Sequence, residues 1–171
     1  KRTIKERSQE VEDRNVFGHW ALDTMVSSRG QSKGCLATFV ERKTRFYIAV
    51  KMEDRTKDPM FLAISSLYNT LTSKLRKTFT VDRGKEFACY EQVETKFGIP
   101  MYFADAYVAW QRGTNENSNG LLREFFPKKT DLAKVTLDKL REALMLINNR
   151  PRCVGFKTPF DMLKHEIRKL I

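Results

Sequence analysis

Apolar and polar positions change period along the chain in a way that separates strands from helices. Residues 1–16 (KRTIKERSQEVEDRNV) are charged, show little apolar periodicity and read as an N-terminal arm or linker; the folded part is expected from residue 17 to 171. From Phe17 the pattern changes. Residues 19–26 (HWALDTMV) alternate crudely. Trp20 and Leu22 share one face with Thr24, and His19, Ala21, Asp23 and Met25 share the other, which is the two-residue period of a strand. A turn-rich stretch, SSRGQSKG (27–34), follows. Then come two apolar, β-prone runs, CLATFVE (35–41) and RFYIAVK (45–51), joined by a short charged bend. Three strands with short links predict an antiparallel meander.

The period then becomes helical. Asp58-Pro59 opens a helix, with Met60, Ala63, Ile64, Leu67, Leu71 and Leu75 at helical spacing. TFTVD (78–82) is a short strand ending on an acid, 85–97 a helix, and PMYF (100–103) another strand after the Gly98-Ile99-Pro100 break. Helices are predicted over Asn115–Phe126, stopped by Pro127, and from the Thr136 cap to Asn148. The order is β-β-β-α-β-α-β-α-α. It predicts an α/β fold: a mixed five-stranded sheet, three antiparallel strands and then parallel ones, flanked by helices.

Charge narrows the function. The 171 residues carry 32 Lys and Arg against 21 Asp and Glu, a formal net charge of +11. That balance points to a polyanionic partner, nucleic acid before an acidic membrane. No long apolar run predicts a spanning helix. Three widely spaced cysteines, Cys35, Cys89 and Cys153, and no C-x-x-C argue for a reducing compartment such as the cytoplasm. With two histidines, His19 and His165, a Cys/His zinc site is improbable, so any metal is expected on carboxylates, as Mg2+ or Mn2+.

Three acids stand where such a site needs them. Asp23 lies within the first predicted strand, Asp82 ends the fourth, and Glu116 opens a helix after 33 intervening residues. Converging, they would hold two cations that clamp an in-line displacement at phosphorus. Read apart, they are three of 21 acids, and solvated or paired surface groups are the plain alternative. Asn115, Asn119 and Arg123 share a helical face with Glu116, and Lys85 and Arg112 lie near the acids. All five are candidate DNA-phosphate contacts, or simply polar surface. Trp110 reads equally as a base-stacking or a core residue, and His19 equally as structural or functional.

At these residues the chain resembles a known family. YFADAYVAWQRGTNENSNGLLREFFPKKTD (102–131) closely resembles the signature of bacterial transposases of the insertion-sequence-30 family. GHWALDTM (18–25), FVERKTRF (39–46), TVDRGKEFA (80–88) and NNRPRCVGFKTPFDML (148–163) resemble its other motifs. Departures are small: Arg83 stands where Asn is common and Ala106 where Pro is common. The resemblance implies a D-D-E transposase or integrase core of ribonuclease-H-like fold. Asp23, Asp82 and Glu116 are then both catalytic and metal-binding, with two Mg2+ or Mn2+ ions. It further implies double-stranded DNA as partner (element ends and target), cleavage followed by strand transfer, a homo-oligomer in the active complex, no membrane association, and a bacterial, nucleoid-associated setting. The family's end-binding helix-turn-helix region is not seen in these residues, so the chain is expected to be the catalytic core alone. Two other readings remain: a nuclease of the same fold that only hydrolyses, and a non-catalytic DNA-binding or oligomerisation module.

Overall fold

The computed structural model describes residues 1–106, 108–152 and 154–171, without the side chains of Ala109, Trp110 and Val154. Cys153 and the Trp110 side chain, both singled out in the sequence, therefore lie outside what is described. In chain order the elements are β1 (Arg2–Thr3), α1 (Gln9–Asp13), β2 (His19–Val26), β3 (Cys35–Glu41), β4 (Tyr47–Met52), α2 (Lys57–Thr70), β5 (Thr78–Val81), α3 (Tyr90–Phe97), β6 (Met101–Phe103), α4 (Gly113–Phe125), α5 (Leu137–Asn148) and α6 (Pro159–Arg168).

The strands form one sheet in the order β1-β6-β5-β2-β3-β4. β2, β3 and β4 are the expected antiparallel meander, and β5 and β6 are parallel to β2 and to each other. The sheet has six strands, not five. The extra one comes from the segment expected to be an arm: Arg2 and Thr3 pair in parallel with Tyr102 and Phe103. The segment is also anchored by side chains. Ile4 and Val11 are buried, and the Arg7 guanidinium donates to Thr80 Oγ1 at 2.9 Å while pairing with Glu12. Pairing to an open sheet edge stabilises it through backbone hydrogen bonds, which need no apolar periodicity.

Both faces of the sheet are covered, so β2 and β3 are buried almost throughout. Trp20, Leu22, Phe39 and Phe79 pack with Met60, Ile64 and Val93 of α2 and α3 on one side. Ala21, Met25, Leu36, Val40 and Tyr47 pack with Leu122 of α4 and Leu140 and Ile147 of α5 on the other. The alternation of β2 is thus realised with both faces inside. Each large side chain buried this way contributes about 1.5–3 kcal/mol. The sequence-predicted helix 85–97 is divided: a 3-10 turn, Lys85–Cys89, precedes α3. α6 is an element the sequence reading did not assign. No helix among the described residues is long and apolar enough to cross a membrane.

Candidate active site

Parallel pairing sets the first geometric fact. His19 lies opposite Thr78 and Ala21 opposite Thr80. Carried on two residues, that register brings Asp23 of β2 level with Asp82 at the end of β5. The two carboxylates share one cation: Arg112 Nη2 is 3.0 Å from Asp23 Oδ2, and Arg112 Nη1 is 3.4 Å from Asp82 Oδ2. A cleft of about 470 Å³ opens over Asp82 and Arg112, walled by Arg83, Gly84, Asp105 and Val108.

Each aspartate is fixed by its surroundings. Asp23 points to the α4 side of the sheet, where Oδ1 accepts from the Thr24 amide at 2.8 Å and Oδ2 from Asn119 Nδ2 at 3.1 Å. Asn119 is itself oriented, because its oxygen accepts from the Tyr47 hydroxyl at 2.7 Å, which leaves the amide nitrogen for Asp23. Burial pushes the Asp23 carboxyl above its ordinary value, and the negative charge of Asp82 adds to this; Arg112 and the Thr24 amide oppose it. Asp82 Oδ1 accepts from the Gly84 amide at 2.7 Å, a turn closed by an aspartate two residues upstream.

On the opposite face of β2, Thr24 Oγ1 donates to Glu86 Oε1 at 2.9 Å, and Arg55 Nε donates to the same oxygen at 2.6 Å. Glu86 is fully buried, and its Oε2 has no partner among the described residues. A Cβ on Gly84 would lie 2.4 Å from that oxygen. Gly84 therefore caps Asp82 through its backbone amide and, having no Cβ, leaves room for Glu86.

The third acid stands differently. Glu116 is exposed in the first turn of α4, and among the described residues it makes no hydrogen bond or ion pair. It lies one turn before Asn119, which touches Asp23. Among the described residues no three acids, histidines or cysteines are grouped to hold a metal. Two of the three predicted acids are thus brought together and the third is close in the chain path but apart.

The five other candidates separate. Arg112 is committed to the two aspartates, and its Nε is buried without a partner among the described residues. Asn115 is 3% exposed and donates to the Leu22 carbonyl at 3.0 Å, so its side chain holds α4 to β2 and is not at the surface to meet a phosphate. Asn119 orients Asp23. Arg123 Nη2 donates to the Val26 carbonyl at 2.7 Å. Lys85 is exposed on a groove it shares with Arg29, Lys33 and Arg55.

His19 is buried between Thr78 Oγ1 at 2.8 Å and Glu10 Oε1 at 3.1 Å, away from the aspartates. A carboxylate only accepts, so Nε2 carries the hydrogen and the Thr78 hydroxyl donates to Nδ1. Cys35 and Cys89 are buried free thiols, both pushed up to about 11 by burial, which makes them poor nucleophiles. Tyr47, Glu86 and Arg55 were not singled out from the sequence. Tyr47 carried one weak signal: a tyrosine in a strand with apolar neighbours needs a partner for its hydroxyl.

The donor set suits a divalent cation in part. Two hard carboxylate oxygens face one another with a positive group between them, the role a cation would take over from Arg112. Among the described residues the guanidinium holds that place with one of its N–H groups unpartnered, so exchanging it for a cation leaves no well-satisfied network behind.

Comparison with known proteins extends this. No protein-family model matches the chain. Over 165 residues, 96% of the chain, it is 40% identical to a transposase (InsI) of the insertion sequence element IS30A of Escherichia coli strain K12. The chain is related to the insertion-sequence-30 transposases. Transposases of IS1086 from Cupriavidus metallidurans (36% identical over 94% of the chain) and IS4351 from Bacteroides fragilis (34% over 97%) agree. The chain spans 42–50% of the length of these insertion-sequence-30 relatives. Its fold is that of retroviral integrase catalytic cores. The BIV integrase core superposes with a TM-score of 0.69 at 20% identity, covering 90% of this chain and 98% of that one. The HTLV-2 integrase core in complex with magnesium gives 0.66 at 18% identity, covering 85% and 95%.

Proposed function

We propose that the chain is the catalytic core of a DNA transposase that cleaves DNA at element ends and joins the freed 3′-hydroxyl to target DNA. The observation that carries the reading is the pair of carboxylates, Asp23 and Asp82, on adjacent parallel strands and close enough to share one guanidinium. Kinship with transposases and likeness to a magnesium-bearing integrase core support it.

In this reading Asp23, Asp82 and Glu116 are the catalytic acids, residues 17–171 are the core, and residues 1–16 are an extension packed on its sheet edge. Two Mg2+ or Mn2+ ions, when bound, supply Lewis acidity at the phosphate and lower the pKa of the attacking water or hydroxyl. The chain's own residues do the rest. Asn119, locked by Tyr47, presents Asp23 in one orientation. Gly84 holds Asp82 forward through its amide. Arg112 neutralises the pair until a phosphate draws it away, and with Lys85 and Arg123 it then positions the DNA backbone without reading bases. Asn115 fixes the helix that carries Glu116. Two element ends need two sites, so the active complex holds more than one copy.

The test is a duplex cleavage and joining assay with Mn2+ on wild type and on Asp82→Asn. Joined products from wild type and none from Asp82→Asn are expected. Nicked products without joining would favour hydrolysis alone. No products, with DNA affinity indifferent to Mn2+, would favour a binding module.

A further inference from the structure

A second cleft lies beside α4, with a volume of about 260 Å³, and no role has yet been given to it. It is lined by Arg14, Arg45, Arg152, Gly113, Thr114 and Asn117. Three of the six are arginines and none is acidic. We propose that this cleft binds a phosphate group of the DNA backbone, one helical turn from Glu116.

The arginines come from three distant parts of the chain. Arg14 ends α1, Arg45 sits in the β3–β4 bend, and Arg152 follows α5. Two are tied to α4: Arg45 Nη1 donates to Thr114 Oγ1 at 3.1 Å, and Arg152 Nη2 donates to Ser118 Oγ at 3.3 Å. All three are half-buried. Guanidinium forks match a phosphate's oxygens in pairs. Thr114 and Asn117 complete a polar wall.

The backbone supplies an independent argument. Arg14 has φ 56° and Arg45 has φ 64°, the left-handed region that disfavours a bulky side chain. Glycine or asparagine would hold either turn at lower cost. The fold carries that cost at both positions, and both residues line the same cleft.

The cleft also sits in the right place. Its floor, Gly113 and Thr114, follows Arg112 directly, and Asn117 follows Glu116. A phosphate held there lies at the start of α4, next to Arg112, which bridges the aspartates. This assignment of the ligand to DNA rests on the transposase reading; the anion site itself does not.

The experiment is titration of a fluorescent random-sequence duplex, in EDTA, at several salt concentrations. Wild type is compared with Arg14→Gly and with Lys74→Ala. Lys74 is exposed in the turn before β5 and lines a different cleft, and its loss removes the same charge. Arg14→Gly relieves the left-handed strain, so its Tm is expected to equal or exceed that of wild type. Its duplex Kd is expected to rise several-fold, with the salt slope reduced by roughly 0.9 for one lost phosphate contact. Lys74→Ala is expected to change neither. Equal effects from both variants, or unchanged affinity in Arg14→Gly, would overturn the proposal. In a second arm, inorganic phosphate is expected to raise the Tm of wild type and not of Arg14→Gly. If that held while wild type bound no duplex, the transposase reading would fall and the anion site would stand.

Discussion

Asn119 donates its amide hydrogen to Asp23 Oδ2 at 3.1 Å, and only one of its two amide orientations permits this. The Tyr47 hydroxyl selects that orientation by donating to Asn119 Oδ1 at 2.7 Å. Tyr47→Phe removes the selection without touching Asp23. DNA cleavage is expected to slow by about tenfold, the equivalent of one hydrogen bond of about 1.4 kcal/mol. DNA affinity should be unchanged. Comparison of single-turnover rates with binding curves checks the split; a wild-type rate would show that Asn119 needs no second partner.

Arg112 occupies the space between the two aspartates. Arg112→Ala is therefore expected to raise the Mn2+ affinity of the DNA-free protein, by roughly tenfold given the charge-assisted bonds it forfeits. Calorimetric titration measures this directly. Equal or weaker Mn2+ binding by the variant would show that the guanidinium does not compete with the cation.

Gly84 joins two requirements in one small residue. Gly84→Ala sets a methyl 2.4 Å from Glu86 Oε2, and Glu86 is pinned by Thr24 and Arg55. The variant is expected to lose about 1–3 kcal/mol of stability, the usual cost of overpacking. It should also lose cleavage, because the amide that caps Asp82 must shift. Thermal melts and the cleavage assay together test this, and a variant that melted like wild type would show that Glu86 relaxes freely.

Burial lowers the pKa of His19 below its ordinary 6.5, and this outweighs the half-exposed Glu10 beside it. A depressed imidazole means that the unfolded chain binds the proton more tightly. The His19 contribution to stability is thus complete above about pH 6.5 and is lost as pH falls towards the folded-state value. His19→Gln should flatten the wild-type decline between about pH 7 and 5. Denaturant titrations across that range would show parallel profiles if His19 were not the group responsible.

What could be read from the sequence follows from what leaves a periodic trace. The alternation of Trp20 and Leu22 against Ala21 and Asp23 identified β2 and the face on which Asp23 stands. The acid after Val81 marked the end of β5, and the parallel register made those two acids neighbours. β1 left no trace, because two residues paired at a sheet edge have no period. α6 did carry a signal in Thr158, Pro159 and Asp161, a capping box with proline at the first helical turn, but few apolar residues follow it. For Asn115, helical spacing gives the face shared with Glu116 and not its direction. α4 turns that residue inward on the Leu22 carbonyl. The bridge Arg112 makes between the aspartates is a tertiary fact that no local pattern encodes.

Anomalous diffraction from crystals grown with a duplex and Mn2+ tests the central claim most directly. The account predicts peaks ligated by Asp23 and Asp82, with Glu116 drawn in and Arg112 moved onto a phosphate. Saturating Mn2+ with no peak, Arg112 still bridging Asp23 and Asp82, and Glu116 still turned to solvent would contradict it.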